Sequence, residues 1–218
     1  MPTIDKTILC MTALLMLGAC SPNAQELNQA NVAKAMNDYL AVRGDLCLAK
    51  SAWPIDVAEA EGKSGSRNAL QMPALEKLGL VAGADASADK TDENGVKTTF
   101  KVRRYDLTEA GRKYYLARAP HKHPTGNRFA EADHDFCAAK LTLDTVVGWE
   151  SVSRPDQPGA PAETVVTYTY KIAPAPWTDD AGVRAAFPMV DTIIRGAGGL
   201  QLKETFVLTG SGWEAKDL

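Results

Sequence analysis

The sequence carries none of the short motifs that mark the common hydrolytic and nucleotide-using chemistries. There is no G-x-S-x-G nucleophile turn, no Walker A loop and no H-E-x-x-H helix. Histidine is scarce. The three present, His121, His123 and His134, fall in one stretch, which offers no pattern for a serine triad. Cysteine is also scarce, with four in 218 residues and no C-x-x-C, which argues against a metal site built from cysteines. Charge of one sign is lacking too. The formal net charge of −3 argues against a general polyanion binder. The longest apolar run, ILCMTALLMLG at residues 8–18, is too short to span a bilayer comfortably.

That run has instead the length of a signal-peptide core, preceded by a short polar start containing Asp5 and Lys6. It ends in Leu17-Gly18-Ala19-Cys20, which resembles the bacterial lipobox. The resemblance implies cleavage before Cys20 and a diacylglycerol on its thiol. Ser21, where an Asp would favour inner-membrane retention, implies an outer-membrane lipoprotein facing the periplasm. Several acyl chains anchor such a protein without a transmembrane helix. The expected organisation is a signal peptide at 1–19, a lipidated tether at 20–30, a first domain at 31–118, a linker at 119–135 and a second domain at 136–218.

Two cysteines remain after the leader and the anchor, Cys47 and Cys137. In an oxidising compartment they are expected to form a disulfide that ties the first helix to the β-rich half.

In the first domain, residues 31–50 show helical spacing through Val32, Met36, Tyr39, Leu40, Leu46 and Cys47, weakened at Gly44. Residues 52–55 read as a turn or short strand, 57–61 as one helical turn and 62–68 as a loop. A helix is expected over Met72–Leu78, with Pro73 at its start and Gly79 at its stop. Residues 82–96 read as a polar loop. Thr98–Leu107 reads as a strand paired with residues near Leu80–Ala82. It puts Phe100, Val102 and Arg104 on one face and Lys101, Arg103 and Tyr105 on the other. Thr108 caps a following helix.

Between Ala69 and Leu116, the succession of helix, Gly79-Leu80-Val81, hairpin, Leu107-Thr108-Glu109-Ala110-Gly111-Arg112 and final helix resembles a winged helix of the MarR or PadR kind. The resemblance implies a shape and not an activity. In a DNA-binding winged helix Arg103 and Arg104 would meet phosphate, and Arg112, Lys113 and Arg118 would add positive charge on the final helix. The periplasmic address leaves no nucleic acid to bind, so Arg103 and Arg104 are read as a solvated strand face.

The second domain is read as β-rich. Leu141, Leu143, Thr145 and Val147 share a strand face, as do Val166, Tyr168, Tyr170 and Ile172. Thr178 is read as the cap of a short helix carrying Asp179 and Asp180. Leu200–Thr209 turns through Gly210-Ser211-Gly212 into a terminal hairpin. Trp149, Trp177 and Trp213 are expected to pack on the sheet. The whole is an α+β chain with an N-terminal winged-helix-like half and a C-terminal antiparallel β-rich half.

Two functions remain open. The first is a non-catalytic periplasmic lipoprotein, without cofactor, that binds an envelope protein or a component such as peptidoglycan. The second is a metal-dependent hydrolase using His121, His123 and His134, joined by Asp133 or Asp135, with Glu131 nearby. The acidic stretch offers Asp85, Asp89, Asp92, Glu93 and Asn94 as calcium ligands, but without EF-hand spacing.

Replacing Cys20 with Ser is expected to block maturation and abolish acyl labelling of the membrane-bound protein. Acyl labelling that survives the substitution would refute the lipobox reading.

Overall fold

The computed structural model describes residues 23–119, 133–152 and 159–218. Cys20, His121 and His123 lie outside them. The fold is mixed α+β, about 31% helix and 42% strand, with one curled antiparallel sheet and a second small sheet. No helix among the described residues is long and apolar enough to cross a membrane.

The chain opens with α1 (Gln29–Arg43), capped by Asn28, whose side-chain oxygen accepts from the Asn31 N–H at 3.0 Å. The expected helix over residues 31–50 stops at Gly44, and the chain enters β1 (Asp45–Cys47). The reason is tertiary. The Gly44 carbonyl accepts from the Leu141 N–H at 2.7 Å. A Cβ at position 44 would collide with the carbonyl oxygens of Leu40 and Leu141. Glycine thus lets the helix end dock directly on the sheet.

Next come β2 (Ile55–Ala58), α2 (Glu59–Ser64), α3 (Arg67–Lys77), β3 (Val81–Thr91) and β4 (Lys97–Leu107). The strands form the small antiparallel sheet in the order β2-β4-β3. This segment departs from expectation at four places. Residues 55–58 are strand rather than the start of a helical turn, because β4 supplies the ladder from Ile55↔Tyr105 to Ala58↔Val102. The 62–68 loop shrinks to a tight link: α2 ends at left-handed Gly65, and Ser66 caps α3 by accepting from the Ala69 N–H at 3.3 Å. Helix α3 therefore begins at Arg67, with Pro73 inside it rather than at its start. The acidic 82–96 stretch is mostly strand, paired from Val81↔Leu107 to Thr91↔Lys97. Its alternation is Ala against Gly, Asp and Ser, a weak propensity signal that cross-strand pairing overrides. Only residues 92–96 turn, where the Asp92 carboxylate accepts from the N–H groups of Asn94 and Val96 at 2.9 and 2.8 Å.

Thr108 caps α4 (Glu109–Arg112) as expected, accepting from the Gly111 N–H at 3.1 Å. The helix lasts one turn. The expected continuation through Tyr115 is instead β5 (Tyr115–Ala117), paired with the start of β6 (His134–Val152). β7 (Glu163–Pro174) lies on the other side of β6. A 3-10 turn (Pro176–Asp179) follows, then α5 (Ala181–Ala186), α6 (Pro188–Arg195), β8 (Leu202–Thr209) and β9 (Gly212–Ala215). Asp180, not Thr178, caps α5: its Oδ1 accepts from Gly182 and Val183 N–H at 2.8 and 3.1 Å. Thr178 belongs to the preceding 3-10 turn, where its hydroxyl donates to the Ala175 carbonyl.

The large sheet runs β1-β6-β7-β8-β9, with β5 also against β6. The face expected for β7 holds: Val166, Tyr168 and Tyr170 are buried, and Ile172 packs beside them. The face expected for β6 changes midway. Leu141 is buried, but further on Val146 is the inward residue at 7% exposure while Val147 is 50% exposed. The register slips at Asp144, which has no partner between Leu143↔Tyr170 and Thr145↔Thr169. One extra residue reverses the parity at Val146, and a second slip at Val147 restores it, so that Trp149 stands opposite Val166 on the original face.

Two cores result, and β6 contributes to both. In the first, Phe136 and Ala138 join Leu48, Met72, Leu75, Tyr105, Trp177 and Val183. The Phe136 ring lies 5.6 Å from Trp177, 6.1 Å from Tyr114 and 6.2 Å from Trp53. In the second, Val32, Met36 and Leu40 of α1 pack on Leu141, Val146, Tyr170 and Phe206, with Trp149 and Trp213 alongside. Both cores draw residues from either side of residues 119–135.

Cys47 and Cys137 face each other across β1 and β6 and form a disulfide 90 residues apart in sequence. Cys47 sits on β1 rather than on the helix, so the bond staples two strands. Loop-closure entropy gives an upper estimate of about 4–5 kcal/mol for a loop of that size. Cys47→Ser is therefore expected to lower the melting temperature and leave Cys137 open to thiol labelling under denaturing conditions. An unchanged melting temperature would show that the surrounding strand pairing alone holds this edge.

Candidate functional site

A groove system lies beside the hairpin formed by β3 and β4. Its main cavity has a volume of about 560 Å³ and is lined by Val57, Glu59, Asp85, Ser87, Lys101 and Arg103. A neighbouring cavity of about 520 Å³ is bounded by Ala58, Ala60, Lys63 and Phe100, and shares Glu59 and Lys101 with the first. The floor is β4, and the wall is the start of α2, which leaves the sheet directly after β2 ends at Ala58. Glu61 fixes that departure by accepting the Ala58 N–H at 2.8 Å.

Most charges around the groove are already neutralised by neighbours. Arg103 donates to Glu76 Oε1 at 2.6 Å, stands 3.7 Å from Asp85 and lies over the Tyr105 ring. The same Glu76 oxygen accepts the Gly83 N–H at 3.0 Å, and a Cβ on Gly83 would strike the Arg103 and Tyr105 side chains. Arg104 grips Asp56 with two bonds of 2.7 Å. Those bonds, opposed only in part by burial, hold the Asp56 carboxyl below its usual range. Glu59 pairs with Lys63 at 2.8 Å. Asp89 takes Lys97 at 2.8 Å and the Thr99 hydroxyl at 2.6 Å, and both bonds lower its pKa. Lys101 alone of the lining cations has no ion pair with any described residue. The arginine pair read as a solvated face is thus a pair of structural ion pairs, and each guanidinium is committed before any phosphate arrives.

Of the residues proposed for metal binding, only Asp133, His134 and Asp135 are described, and each is engaged separately. His134 opens β6 with its ring stacked on Tyr115 at 5.2 Å between centroids. Asp135 Oδ1 accepts the backbone N–H groups of Lys50 and Phe136, each at 2.7 Å. Asp133 accepts from Arg118 N–H through its carbonyl. His121, His123 and Glu131 lie outside the described residues. Among the described residues no three His, Cys, Asp or Glu side chains cluster to hold a metal. In the wing, Asp85, Asp89 and Asp92 have separate partners, and no calcium cage forms from them.

Two clusters escaped the sequence reading. Lys50 is only 4% exposed, and its ammonium has no hydrogen bond or ion pair to any described residue. Burial lowers its pKa, Arg67 adds to the effect, and Asp135 opposes it. In the second core the carboxylate of Glu204 meets Tyr39. Burial first, then the hydrogen bond to Glu204, raises the Tyr39 phenol. Burial and the Glu204 charge push Tyr168 up to about 12. Both phenols are held in the protonated form across physiological pH. A lone Lys or Glu gives no periodic signal that its neighbours will bury it.

Set against known proteins, the chain matches no family model, no curated protein and no solved structure.

The Asp56–Arg104 pair makes a pH-dependent claim. Because the folded-state pKa of Asp56 lies below its ordinary value, the linked stability is complete above that value, about 3.9, and is lost as pH falls through the folded-state pKa. Asp56→Asn is expected to cost on the order of 1 kcal/mol at neutral pH, with the gap to the wild type closing only at acid pH below the usual carboxylate range. Urea titrations across that range measure it, and a gap independent of pH would refute the pairing.

Proposed function

We propose that the protein is a lipid-anchored lipoprotein of the outer membrane that faces the periplasm and binds an envelope protein or cell-wall component without altering it chemically. The carrying observation is the groove beside the wing, with Lys101 as a cation left unmatched by the described residues. The Leu17-Gly18-Ala19-Cys20 sequence supports the address. The chemistry around the groove supports binding over catalysis. Its two carboxylates, Glu59 and Asp85, stand in ion pairs with Lys63 and Arg103, and Cys47 and Cys137 are joined to each other elsewhere.

Photo-crosslinking amino acids at Ser87 and at Lys101, in the full chain expressed in intact cells, test this reading. Lys203, exposed on β8, is the control position. A discrete adduct is expected from Ser87 and not from Lys203, and Lys101→Glu should abolish the Ser87 adduct. No adduct at either groove position, or the same adduct from Lys203, would overturn the assignment.

A further inference from the structure

The backbone beside Lys101 narrows the class of partner, and the argument rests on the binding role proposed for the groove. β2 pairs with only part of β4. The ladder ends at Ala58↔Val102, because the chain turns away into α2 at Glu59. β4 continues for five more residues, Lys101 back to Lys97, with β3 on one side only. All five are exposed. Every second residue of this segment directs its N–H and C=O toward the open edge, where the second cavity of the groove lies between α2 and the Phe100–Lys101 stretch, while the main cavity lies on the adjoining sheet face.

We infer that the groove receives an extended acidic peptide segment, which adds as a strand along the open edge of β4 at Lys97–Lys101. Such a strand would continue the line of β2, antiparallel to β4, with main-chain hydrogen bonds supplying the attachment. Side-chain preference follows from register. Lys101 and Lys97 lie on the same face, two positions either side of Thr99, so acidic residues of the peptide would stand opposite each of them. Lys101 is the stronger reader, since Lys97 already engages Asp89. On the other face Phe100, 37% exposed and bordering the second cavity, offers an apolar surface to the residue opposite it.

The same register argues against a second copy of this chain as the occupant. Two β4 edges pairing antiparallel about Thr99 would set Lys97 of each opposite Lys101 of the other. Like charges directly opposed destabilise a strand pair, and lysine on an edge is a recognised guard against self-association. An acidic partner meets no such obstacle. Glu59 at the groove mouth is neutralised by Lys63 and leaves the Lys101 field intact.

The probe is the blocked peptide acetyl-Asp-Val-Thr-Val-Asp-amide, titrated calorimetrically into the detergent-solubilised full-length protein. Two alternately N-methylated versions and a version with Lys in place of both Asp accompany it. The parent is expected to bind saturably. One N-methylated version, blocking the amides that face β4, should lose on the order of tenfold in affinity, and the other should lose little. The Lys version should bind roughly fivefold more weakly, and Lys101→Glu should invert that preference. Amide exchange should slow at alternate residues of Lys97–Lys101. No saturation by about 1 mM peptide, equal binding of both N-methylated versions, or protection along β3 instead would overturn strand addition. So would a dimer that Lys101→Glu dissociates and the peptide does not. If crosslinks form from Ser87 while the peptide fails, the binding role stands and strand addition falls. If the peptide binds as described and no cellular adduct forms, the edge recognises acidic strands and the envelope role falls.

Discussion

Everything else in this structure leans on the pairing of β6. Among the described strands it is the one that places buried side chains in both cores: Phe136 and Ala138 at its start sit among the aromatic rings of the first, and Leu141 and Val146 sit under α1 in the second. β1 and β5 pair with its first residues and β7 with most of its length. The disulfide joins it to β1 where these elements converge. Large-to-small changes at a site such as Phe136 cost about 3–5 kcal/mol in well-packed cores. Here the loss would fall at the point where helix α3, the small sheet and α5 all meet the long strand.

The small sheet is held differently. Its hairpin projects beyond the first core, and past Val102 its residues are mostly exposed. Ion pairs and cross-strand hydrogen bonds take over from burial: Arg104 with Asp56, Arg103 with Glu76 and Asp85, and Asp89 with Lys97 and Thr99. Exposed pairs contribute little each, about 0–1 kcal/mol. A hairpin tied this way is the part of the fold most open to local opening, and it is also the part with unmatched backbone and an unmatched lysine. Of the order expected over residues 69–116, the helix and the hairpin are present, whereas the expected final helix is a single turn followed by β5. The cations a DNA-binding wing would present to phosphate are bound internally instead.

The sequence alone determined the elements whose signal is local. β7 reads plainly from its run of β-branched and aromatic residues, and the β8–β9 hairpin from Gly210-Ser211-Gly212. The Cys47–Cys137 bond was expected by elimination once Cys10 and Cys20 were assigned to a leader and an anchor, and the structure contains it. Tertiary structure decided the rest, because those outcomes depend on partners distant in the chain. Tyr115 is strand because Phe136 lies opposite it, and the alanine-rich wing is strand because β4 pairs along its length. Val146 rather than Val147 is buried because Asp144 slips the ladder. Lys50 is buried and Lys101 left unpaired by side chains that periodicity cannot bring to mind. The groove exists because α2 leaves β4 half covered. Propensity and spacing act over a few residues and are written in the chain. Register, burial and charge pairing are set by contacts across tens of residues, and only the packed structure chooses among them.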